Sequence, residues 1–215
     1  MLLFTVGDSF TYGEELTHRD KDAWPVLVAK HLGYELVNQG SPGTSCDYAV
    51  KQTVKAVSRM RPDLVIVAWS SAGRMEFADD GGAFDIWPGS NLEIWNHRHQ
   101  GHRKELVKYI TRYNNTNWEY RRWLRNCVLL QSFLKQENVA YRFVNTFDNL
   151  VYGNKYIEDS VEYTSLLDTK NFIGWPDKGF IDWIEGSPKG PNGHPLELGH
   201  KCIAEKIIDN LNMEV

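Results

Sequence analysis

The stretch Phe4-Thr5-Val6-Gly7-Asp8-Ser9-Phe10-Thr11-Tyr12-Gly13 lies close to the N-terminus and joins an apolar run to a glycine-containing turn. The run from Met1 to Val6 is apolar except for Thr5, which predicts a buried strand. Ser9 would then follow the carboxyl end of a first parallel strand, where open α/β sheets bind their ligands. A serine there can also cap a following helix, so its position alone leaves both roles open.

Patterns typical of strands and helices alternate along the rest of the chain. Apolar residues at helical spacing predict helices at 23–32, 46–60, 103–113, 118–135 and 197–211, and a short helix is predicted near 160–167. Apolar and β-branched runs predict strands at 34–38, 64–69, 139–146 and 180–184. Because short connections between such elements imply right-handed crossovers, the sequence predicts an α/β fold with a mostly parallel, doubly wound central sheet of about five strands.

The length of 215 residues fits one domain, which we expect to span residues 1–215. Within it we expect an aromatic-rich insertion at about 78–102. Residues 78–100 contain three glycines and no sustained period, so we expect this segment to be irregular. So long an irregular stretch in a compact domain is usually functional or flexible.

Composition argues against several classes of partner. The net charge of −4 gives no electrostatic reason to expect nucleic acid or an anionic membrane.

Three isolated cysteines, Cys46, Cys127 and Cys202, predict reduced thiols rather than a disulfide framework. The N-terminus has no signal-peptide pattern and no run is long enough to span a membrane, so we expect a cytoplasmic protein. Eight tryptophans and ten tyrosines are many for this length, and such a surplus often lines a groove or interface.

A second informative stretch, Asn192-Gly193-His194-Pro195-Leu196-Glu197-Leu198-Gly199-His200, precedes the last predicted helix. Pro195 rigidifies the turn, so His194 should lie on a loop rather than on a buried helix face. It could be an exposed histidine without a chemical role. A histidine on a fixed loop can also reach a serine at a strand end, and a neutral imidazole is the general base that a serine hydroxyl needs near pH 7.

Together these blocks resemble the SGNH/GDSL hydrolases. The resemblance is carried by Gly7-Asp8-Ser9 next to the N-terminus, by Gly43 after the second strand, and by His194-Pro195 with Gly199 before the last helix. The order and spacing of the blocks span nearly the whole chain. The resemblance implies a three-layer α/β/α sandwich of the flavodoxin-like kind and an esterase or acylhydrolase activity.

Carried over residue by residue, the resemblance makes Ser9 the nucleophile and His194 the general base. The backbone N–H groups of Ser9 and Gly43 would be oxyanion-hole donors, since acyl transfer needs donors where negative charge develops. Asp8 matches the family motif at a position that is mainly structural. We expect Ser9 Oγ to lie within about 3.5 Å of a ring nitrogen of His194.

The chain departs from the family after the third strand. The family usually has a Gly-x-Asn-Asp block there, whose asparagine side chain is the third oxyanion donor. The equivalent stretch is Ser70-Ser71-Ala72-Gly73-Arg74, which puts alanine in the asparagine's place. Losing one such donor typically costs roughly 10²–10³ in rate, and Ser71 or Arg74 could substitute for it.

A second departure concerns the acid of the triad, which is usually an aspartate three residues before the histidine. That position is Pro191. Asn192 could orient His194 by hydrogen bonding, although an amide would not stabilise the imidazolium as a carboxylate does. The remaining alternatives are a backbone carbonyl in a Ser–His dyad, or a carboxylate that folds back from Asp177, Asp182 or Glu185.

Arg74 and the insertion would form the rim of the site. Arg74 either makes a salt bridge with Glu76 that fixes its loop or contacts an anionic or carbonyl part of the substrate. Trp87 and Trp95 are candidates for a substrate-facing rim. His97, His99 and His102 fit neither a helical pair nor a common zinc signature, so we expect no metal and no other cofactor.

These residues favour a serine hydrolase acting on an ester, such as an O-acyl group on a carbohydrate or another small ester. The alternative is a non-catalytic SGNH-like module that uses the cleft for binding or assembly, because the asparagine and the aspartate are missing. A nucleotide-binding Rossmann protein is disfavoured, since no GxGxxG follows the first strand. The stretch from Gly7 to Leu16 and the Asn-Gly-His-Pro ending also resemble SGNH-like proteins encoded by bacteriophages, which would allow a virion or host-cytoplasm location.

Overall fold

The computed structural model describes residues 1–80, 82–88, 100–113, 115–147 and 161–212, except for the side chains of residues 100–102. In chain order its strands are β1 (Leu2–Gly7), β2 (Glu35–Gly40), β3 (Leu64–Trp69), β4 (Met75–Asp79), β5 (Gly82–Ile86), β6 (Ala140–Asn145) and β7 (Phe172–Ile173). Its helices are α1 (Ser9–Tyr12), α2 (Arg19–Asp22), α3 (Trp24–Leu32), α4 (Cys46–Met60), α5 (Gln100–Arg112), α6 (Thr116–Gln136), α7 (Val161–Thr164), α8 (Phe180–Trp183) and α9 (Glu197–Asn212).

Within the described ranges, five strands form one parallel sheet in the order β2-β1-β3-β6-β7. β1 lies inside the sheet, because it pairs with β2 on one side and with β3 on the other. The strand order reverses between β1 and β3, and this switch point is where open α/β sheets form a ligand crevice. The topology confirms the predicted α/β fold with a parallel central sheet.

Helices cover both faces of the sheet, because successive side chains of a strand point to opposite sides. Val65 and Val67 of β3 belong to the core cluster formed with α4 and α6. Leu64 and Ile66 belong to the cluster formed with α3 and α9. Since every residue of β3 is buried, its continuous apolar run reflects a strand between two helical layers, and the expected three-layer sandwich is confirmed.

Residues 180–184 do not form the predicted strand. Phe180–Trp183 is helix α8, and the short β7 completes the sheet instead. The Asp182 side chain accepts a hydrogen bond from the Gly179 N–H at 2.9 Å, which stabilises the first helical turn. Phe180 and Ile184 lie one helical turn apart and are buried in the same core cluster. The prediction was wrong because apolar residues at positions 180 and 184 fit the period of a strand as well as that of a helix. The hydrogen bond from the Gly179 N–H to Asp182 favours the helix.

The insertion was expected to be irregular, and this expectation is wrong over its first part. β4 and β5 form an antiparallel hairpin in which Phe77 lies opposite Phe84. The Arg103 guanidinium lies 3.9 Å from the centroid of the Phe84 ring and forms a salt bridge with Asp79. These contacts with α5 stabilise a hairpin whose short strands carry little sequence signal. Trp95, His97, His99 and the His102 side chain lie outside the described residues.

No helix in the described ranges is both long and apolar enough to cross a membrane. The same ranges contain no group of three or more His, Cys, Asp and Glu side chains arranged to hold a metal ion. Cys46, Cys127 and Cys202 are all free thiols.

Candidate active site

Ser9 is the first residue of α1, the short helix that follows β1 directly. The N-cap is Asp8, whose carboxylate accepts a hydrogen bond from the Phe10 N–H at 3.1 Å. Asp8 therefore performs the capping role that Ser9 could have had. The Ser9 hydroxyl forms no hydrogen bond with another described residue, and Ser9 is 4% exposed at the switch point of the sheet.

Asp8 links the end of β1 to the end of β3. Its Oδ2 accepts a hydrogen bond from Ser70 Oγ at 3.0 Å and lies 3.4 Å from Arg74 Nη1. Burial raises the pKa of Asp8 above its usual value, against the opposing effect of the Arg74 charge and of hydrogen bonds from Phe10 and Ser70. Asp8 thus holds a neighbouring cation and loop in place, which fits the structural role expected for it.

Arg74 links the ends of β1 and β3 to the turn that follows β2. Its Nη1 donates to Ser70 Oγ at 2.9 Å and to the Thr44 carbonyl at 3.4 Å. Its guanidinium lies 5.2 Å from the ring centroids of both Trp87 and Phe147. The structure therefore places Trp87 beside Arg74. The expected pair with Glu76 is not formed, since Glu76 pairs with Lys51 and Arg74 pairs with Asp8.

Gly43 follows β2 on a turn that is tied to the end of β1. The Gly7 carbonyl accepts hydrogen bonds from the Ser41 N–H at 3.0 Å and from Thr44 Oγ1 at 3.2 Å. Gly43 has a φ of 75°, a left-handed conformation that favours glycine. A Cβ at this position would lie 3.8 Å from the Trp87 ring. In the described part of the chain its N–H donates to no acceptor.

The carboxylate that the structure places against His194 is that of Glu15, which the sequence analysis did not name. Its Oε2 lies 2.8 Å from His194 Nδ1 and accepts a hydrogen bond from the His194 N–H at 3.1 Å. Its Oε1 accepts two further hydrogen bonds from Asn192, from the backbone N–H at 2.9 Å and from Nδ2 at 3.2 Å. Asn192 was a candidate for orienting His194 by a direct hydrogen bond. In the structure it donates instead to Glu15, whose carboxylate contacts the His194 ring.

Two features of the backbone fix Glu15 in this position. Glu15 has a φ of 68°, the left-handed region that a residue with a side chain occupies at a cost. A Cβ at position 190 would lie 2.6 Å from Glu15 Cδ, so only a glycine leaves room for the carboxylate. Partial burial tends to raise the pKa of Glu15, but hydrogen bonds from Asn192 and His194 outweigh it and lower this pKa. Glu15 is held as a carboxylate beside the imidazole.

The other side of the His194 ring faces a second carboxylate. Nε2 lies 3.3 Å from Glu14 Oε2, and the ring packs edge-on against Phe10 with centroids 5.8 Å apart. Phe10 and Glu14 both belong to the segment that begins at Ser9. No hydrogen bond joins Ser9 Oγ to His194 within the described ranges, so the expected contact between them stays a prediction. His194 thus packs against Phe10, the residue that follows Ser9, and Glu14 faces its Nε2.

The other carboxylates considered for the acid lie elsewhere. Asp182 caps α8 and pairs with Lys178 at 3.2 Å, and Asp177 and Glu185 are exposed. Ser71 contributes its backbone carbonyl, which accepts from the Arg74 N–H at 3.1 Å. The sequence signal for Glu15 was the Glu14-Glu15 pair directly after Gly13, two acidic residues within reach of the Ser9 turn.

A further residue that the sequence did not indicate is Arg122 of α6. Its Nη2 donates to the Ala72 carbonyl at 2.8 Å and also to the Arg74 carbonyl. Its Nη1 pairs with Asp47 Oδ2 at 2.7 Å. Arg122 therefore fixes the backbone of the segment in which the family asparagine would stand.

A buried thiol, that of Cys46, also lies beside the end of β3. Cys46 is 1% exposed, and its Sγ donates to the Ser70 carbonyl at 3.3 Å. Burial raises the pKa of Cys46 to about 12, so the thiol stays protonated near neutral pH. The hydroxyl of Ser9 remains the candidate nucleophile.

Comparison with known proteins adds a family and a fold. Residues 11–215 match the sequence profile of a family described as a family of unknown function, DUF6071. The chain belongs to the DUF6071 family. No curated protein has a significantly similar sequence.

Several solved structures similar to this DUF6071 protein are described as esterases or as lipolytic proteins of the G-D-S-L family. The esterase EstA from Pseudoalteromonas sp. is 11% identical with a TM-score of 0.57, over 99% of this chain and 97% of EstA. A member of the lipolytic G-D-S-L family from Veillonella parvula is 13% identical with a TM-score of 0.54, over 97% of each chain. The acetylxylan esterase Axe2 from Geobacillus stearothermophilus is 13% identical with a TM-score of 0.51, over 98% of this chain and 93% of Axe2. These likenesses establish the SGNH/GDSL hydrolase fold.

Proposed function

We propose that this protein is a serine hydrolase that cleaves an ester, with Ser9 as nucleophile, His194 as general base and Glu15 as the acid that orients the histidine. The observation that carries the proposal is the 2.8 Å contact between Glu15 Oε2 and His194 Nδ1. A carboxylate at Nδ1 fixes the tautomer in which Nε2 is free to accept a proton, and it stabilises the imidazolium that forms. Further support is the fold, which is shared with esterases.

In the proposed reaction, the Ser9 hydroxyl transfers its proton to His194 Nε2 while Oγ attacks the ester carbonyl. The tetrahedral oxyanion would be stabilised by the N–H groups of Ser9 and Gly43. Its collapse breaks the bond to the alcohol, which leaves with the proton from His194 and gives an acyl-enzyme. Water, deprotonated by His194, then attacks this acyl-enzyme and releases the carboxylic acid and free Ser9.

The third oxyanion donor, missing because of Ala72, is proposed to be Arg74. The Arg74 side chain is 16% exposed, and its guanidinium already bonds to groups at the ends of β1 and β3. A fixed cation is a strong donor to a developing oxyanion in a partly dehydrated site. Ser71 is the second candidate for this role, since it also follows β3.

The arrangement in the structure needs one rearrangement before proton transfer. His194 Nε2 faces Glu14, and Glu14 is 38% exposed at its side chain. We propose that substrate entry turns Glu14 outward, so that Nε2 accepts from Ser9. Because Glu14 is the more exposed of the two glutamates, this rotation would leave the contact between Glu15 and His194 intact.

The proposed substrate is a small ester, with an O-acyl group on a carbohydrate as the favoured class. The rim formed by Trp87 and Arg74 offers a flat apolar face beside a cation, which suits a sugar ring and its ester carbonyl better than a long acyl chain. Among the structural relatives, Axe2 is an acetylxylan esterase. Neither nucleic acid nor a membrane is needed as a partner in this proposal.

The alternative function is an SGNH-like binding module without catalysis. Two observations favour it: Ala72 in the place of the asparagine, and the absence of a hydrogen bond between Ser9 and His194 within the described ranges. The two functions are separated by hydrolysis of p-nitrophenyl acetate. A hydrolase loses its turnover in Ser9→Ala and keeps it in Ser58→Ala, a control at an exposed serine of α4. Turnover that is absent from wild type, or equal in wild type and Ser9→Ala, supports the binding module.

A further inference from the structure

A groove of about 300 Å³ lies beside the hairpin, lined by residues of β4, α5 and α6 and of the segment before α6. This volume is at the lower end of the range of small-molecule sites, about 300–1000 Å³. Its walls are mainly apolar and aromatic, with Phe77, Tyr109, Tyr113 and Trp118 among the lining residues. One carboxyl group, that of Glu119, also lines it.

The aromatic rings of the groove are unusually open to solvent. Tyr109 and Tyr113 are each 61% exposed and Trp118 is 52% exposed, whereas the core tryptophans Trp24 and Trp69 are fully buried. Tyr109 and Tyr113 contact each other with ring centroids 4.7 Å apart. Large rings that share one groove and remain exposed offer a preformed surface on which a flat ligand can stack.

Glu119 adds a polar anchor to this surface. The residue is only 8% exposed, and its Oε1 is fully buried with no hydrogen-bond partner in the described part of the chain. A buried carboxylate oxygen without a donor is unfavourable, because it has lost its water and gained no hydrogen bond in return. A ligand that brings hydroxyl donors into the groove would satisfy this acceptor while its ring stacks on the aromatic side chains.

The surrounding charges distinguish a neutral ligand from a cationic one. The Arg122 guanidinium lies 5.3 Å from the Trp118 ring centroid, and the Arg112 guanidinium lies 5.6 Å from that of Tyr113. Because the protein already places its own cations against two of these rings, a second cation there would be repelled. A flat, uncharged ligand with several hydroxyl groups fits both the rings and Glu119.

We propose that this groove is a saccharide-binding subsite, in which Trp118 and the two tyrosines stack on a sugar ring and Glu119 accepts its hydroxyl hydrogen bonds. The subsite is linked to the proposed active site through Gly73 and Arg74. A Cβ on Gly73 would lie 3.3 Å from Glu119 Oε1, and the following residue, Arg74, pairs with Asp8 beside Ser9. The inference rests on the proposed function in one respect: the bound sugar would be a further unit of the carbohydrate whose ester reaches Ser9.

The test is a titration of ¹⁵N-labelled protein with xylobiose, cellobiose, mannobiose and N,N′-diacetylchitobiose, followed by NMR. The Ser9→Ala variant is used beside wild type, so that binding is measured without any dependence on turnover. We expect at least one disaccharide to shift the Trp118 indole signal in both proteins. We expect Glu119→Gln to weaken that binding at least about tenfold, because a hydrogen bond to a charged group contributes that much. We expect Trp118→Ala, followed through the backbone amide signals of the groove, to weaken it as well, because the variant removes the stacking surface.

The matched control is Leu129→Ala, at a 60% exposed position of the same helix. It should bind like wild type. Glu119→Gln removes a buried unpartnered carboxyl and keeps its shape, so it reports on binding even if Trp118→Ala fails to fold. The proposal is overturned if none of the four disaccharides shifts Trp118, if Glu119→Gln binds as tightly as wild type, or if tetramethylammonium occupies the groove instead. Loss of ester hydrolysis in Ser9→Ala with unchanged disaccharide binding would support both proposals separately.

Discussion

Glu15 and His194 are 179 residues apart in the sequence, and their side chains meet at 2.8 Å between Oε2 and Nδ1. In the resembling family the acid comes from the same loop as the histidine. Here that position is Pro191, and the carboxylate comes from the loop that follows the candidate nucleophile. The backbone N–H of His194 also bonds to Glu15, so one carboxylate fixes both the loop and the ring of the histidine.

Replacing Glu15 by glutamine should lower kcat for ester hydrolysis by about 100-fold or more, the usual contribution of a general base held in its working tautomer. The amide also presents a donor to N–H groups that need an acceptor. The matched control is Glu14→Gln, which removes the group facing Nε2 and should leave kcat equal to wild type or higher. The measurement is kcat for p-nitrophenyl acetate in wild type and in the two variants, by steady-state kinetics. A Glu15→Gln variant with wild-type kcat would remove Glu15 from the proposed triad.

Glu15 should also make folding stability depend on pH in the acidic range. Its pKa is lowered in the folded protein, so its contribution is fully present above its ordinary pKa of 4.5 and is lost as the pH falls through the folded value. Urea unfolding between pH 3 and pH 7 should show wild type losing more stability below about pH 4.5 than Glu15→Gln. Parallel curves for the two proteins would show that the carboxylate is not stabilised by its hydrogen bonds.

His200 gives a second pH dependence with a different window. It is fully buried, and its Nδ1 accepts a hydrogen bond from the Trp24 N–H at 3.2 Å, at the start of α3. Burial, together with the nearby His194, lowers the pKa of His200 from 6.5 to about 4. The unfolded chain therefore binds more protons between these values, and stability should fall as the pH drops from 6.5 to about 4.

For one such proton, the free energy of unfolding changes by at most about 1.4 kcal/mol per pH unit. His200→Asn keeps an acceptor for Trp24 and should remove this slope, although it lowers stability at neutral pH by leaving a cavity. Urea unfolding at pH 7, 6 and 5 measures both effects. An unchanged slope in His200→Asn would assign the pH dependence to other groups.

Arg122 should act as a positioning residue for the segment that carries Arg74. Arg122→Met removes the donors to the Ala72 and Arg74 carbonyls, so it should lower kcat about tenfold or more with a smaller change in KM. Arg121→Met is the control, because the neighbouring Arg121 is exposed. Steady-state kinetics and thermal unfolding are measured on both variants. The positioning role would be contradicted if Arg122→Met had the kcat of wild type, or if its loss of activity were explained by unfolding alone.

The layered fold could be predicted because its strands and helices carry their own periodic signals. The run at 64–69 is apolar at every position since both faces of β3 are covered, and α4 begins and ends at the predicted residues. Phe180 and Ile184 could not be assigned in this way, because a helical turn and a strand both accommodate them until Asp182 caps the helix. The β4–β5 hairpin depends on contacts with α5, which the local sequence does not reveal.

The candidate site could be predicted from the sequence only where its residues lie in short local motifs. Ser9, Gly43 and His194 are marked by short local blocks, whose roles remain proposals. Arg122 is not marked, and the Glu14-Glu15 pair does not by itself point to His194, because both residues act through contacts between segments far apart in the chain. The left-handed φ of Glu15 and the space left by Gly190 are tertiary requirements that no local pattern encodes. A single domain over residues 1–215, the cytoplasmic location and the bacteriophage resemblance stay predictions.

The most direct test of the central claim is labelling with a fluorophosphonate, which reacts with an activated serine hydroxyl and leaves a stable phosphonyl adduct. The label is located by mass spectrometry of peptides from wild type, Ser9→Ala and His194→Ala. If Ser9 is the nucleophile that His194 activates, wild type should carry an adduct on Ser9, Ser9→Ala should carry none, and His194→Ala should be labelled much more slowly. An unlabelled wild-type protein, or an adduct on a serine other than Ser9, would contradict it.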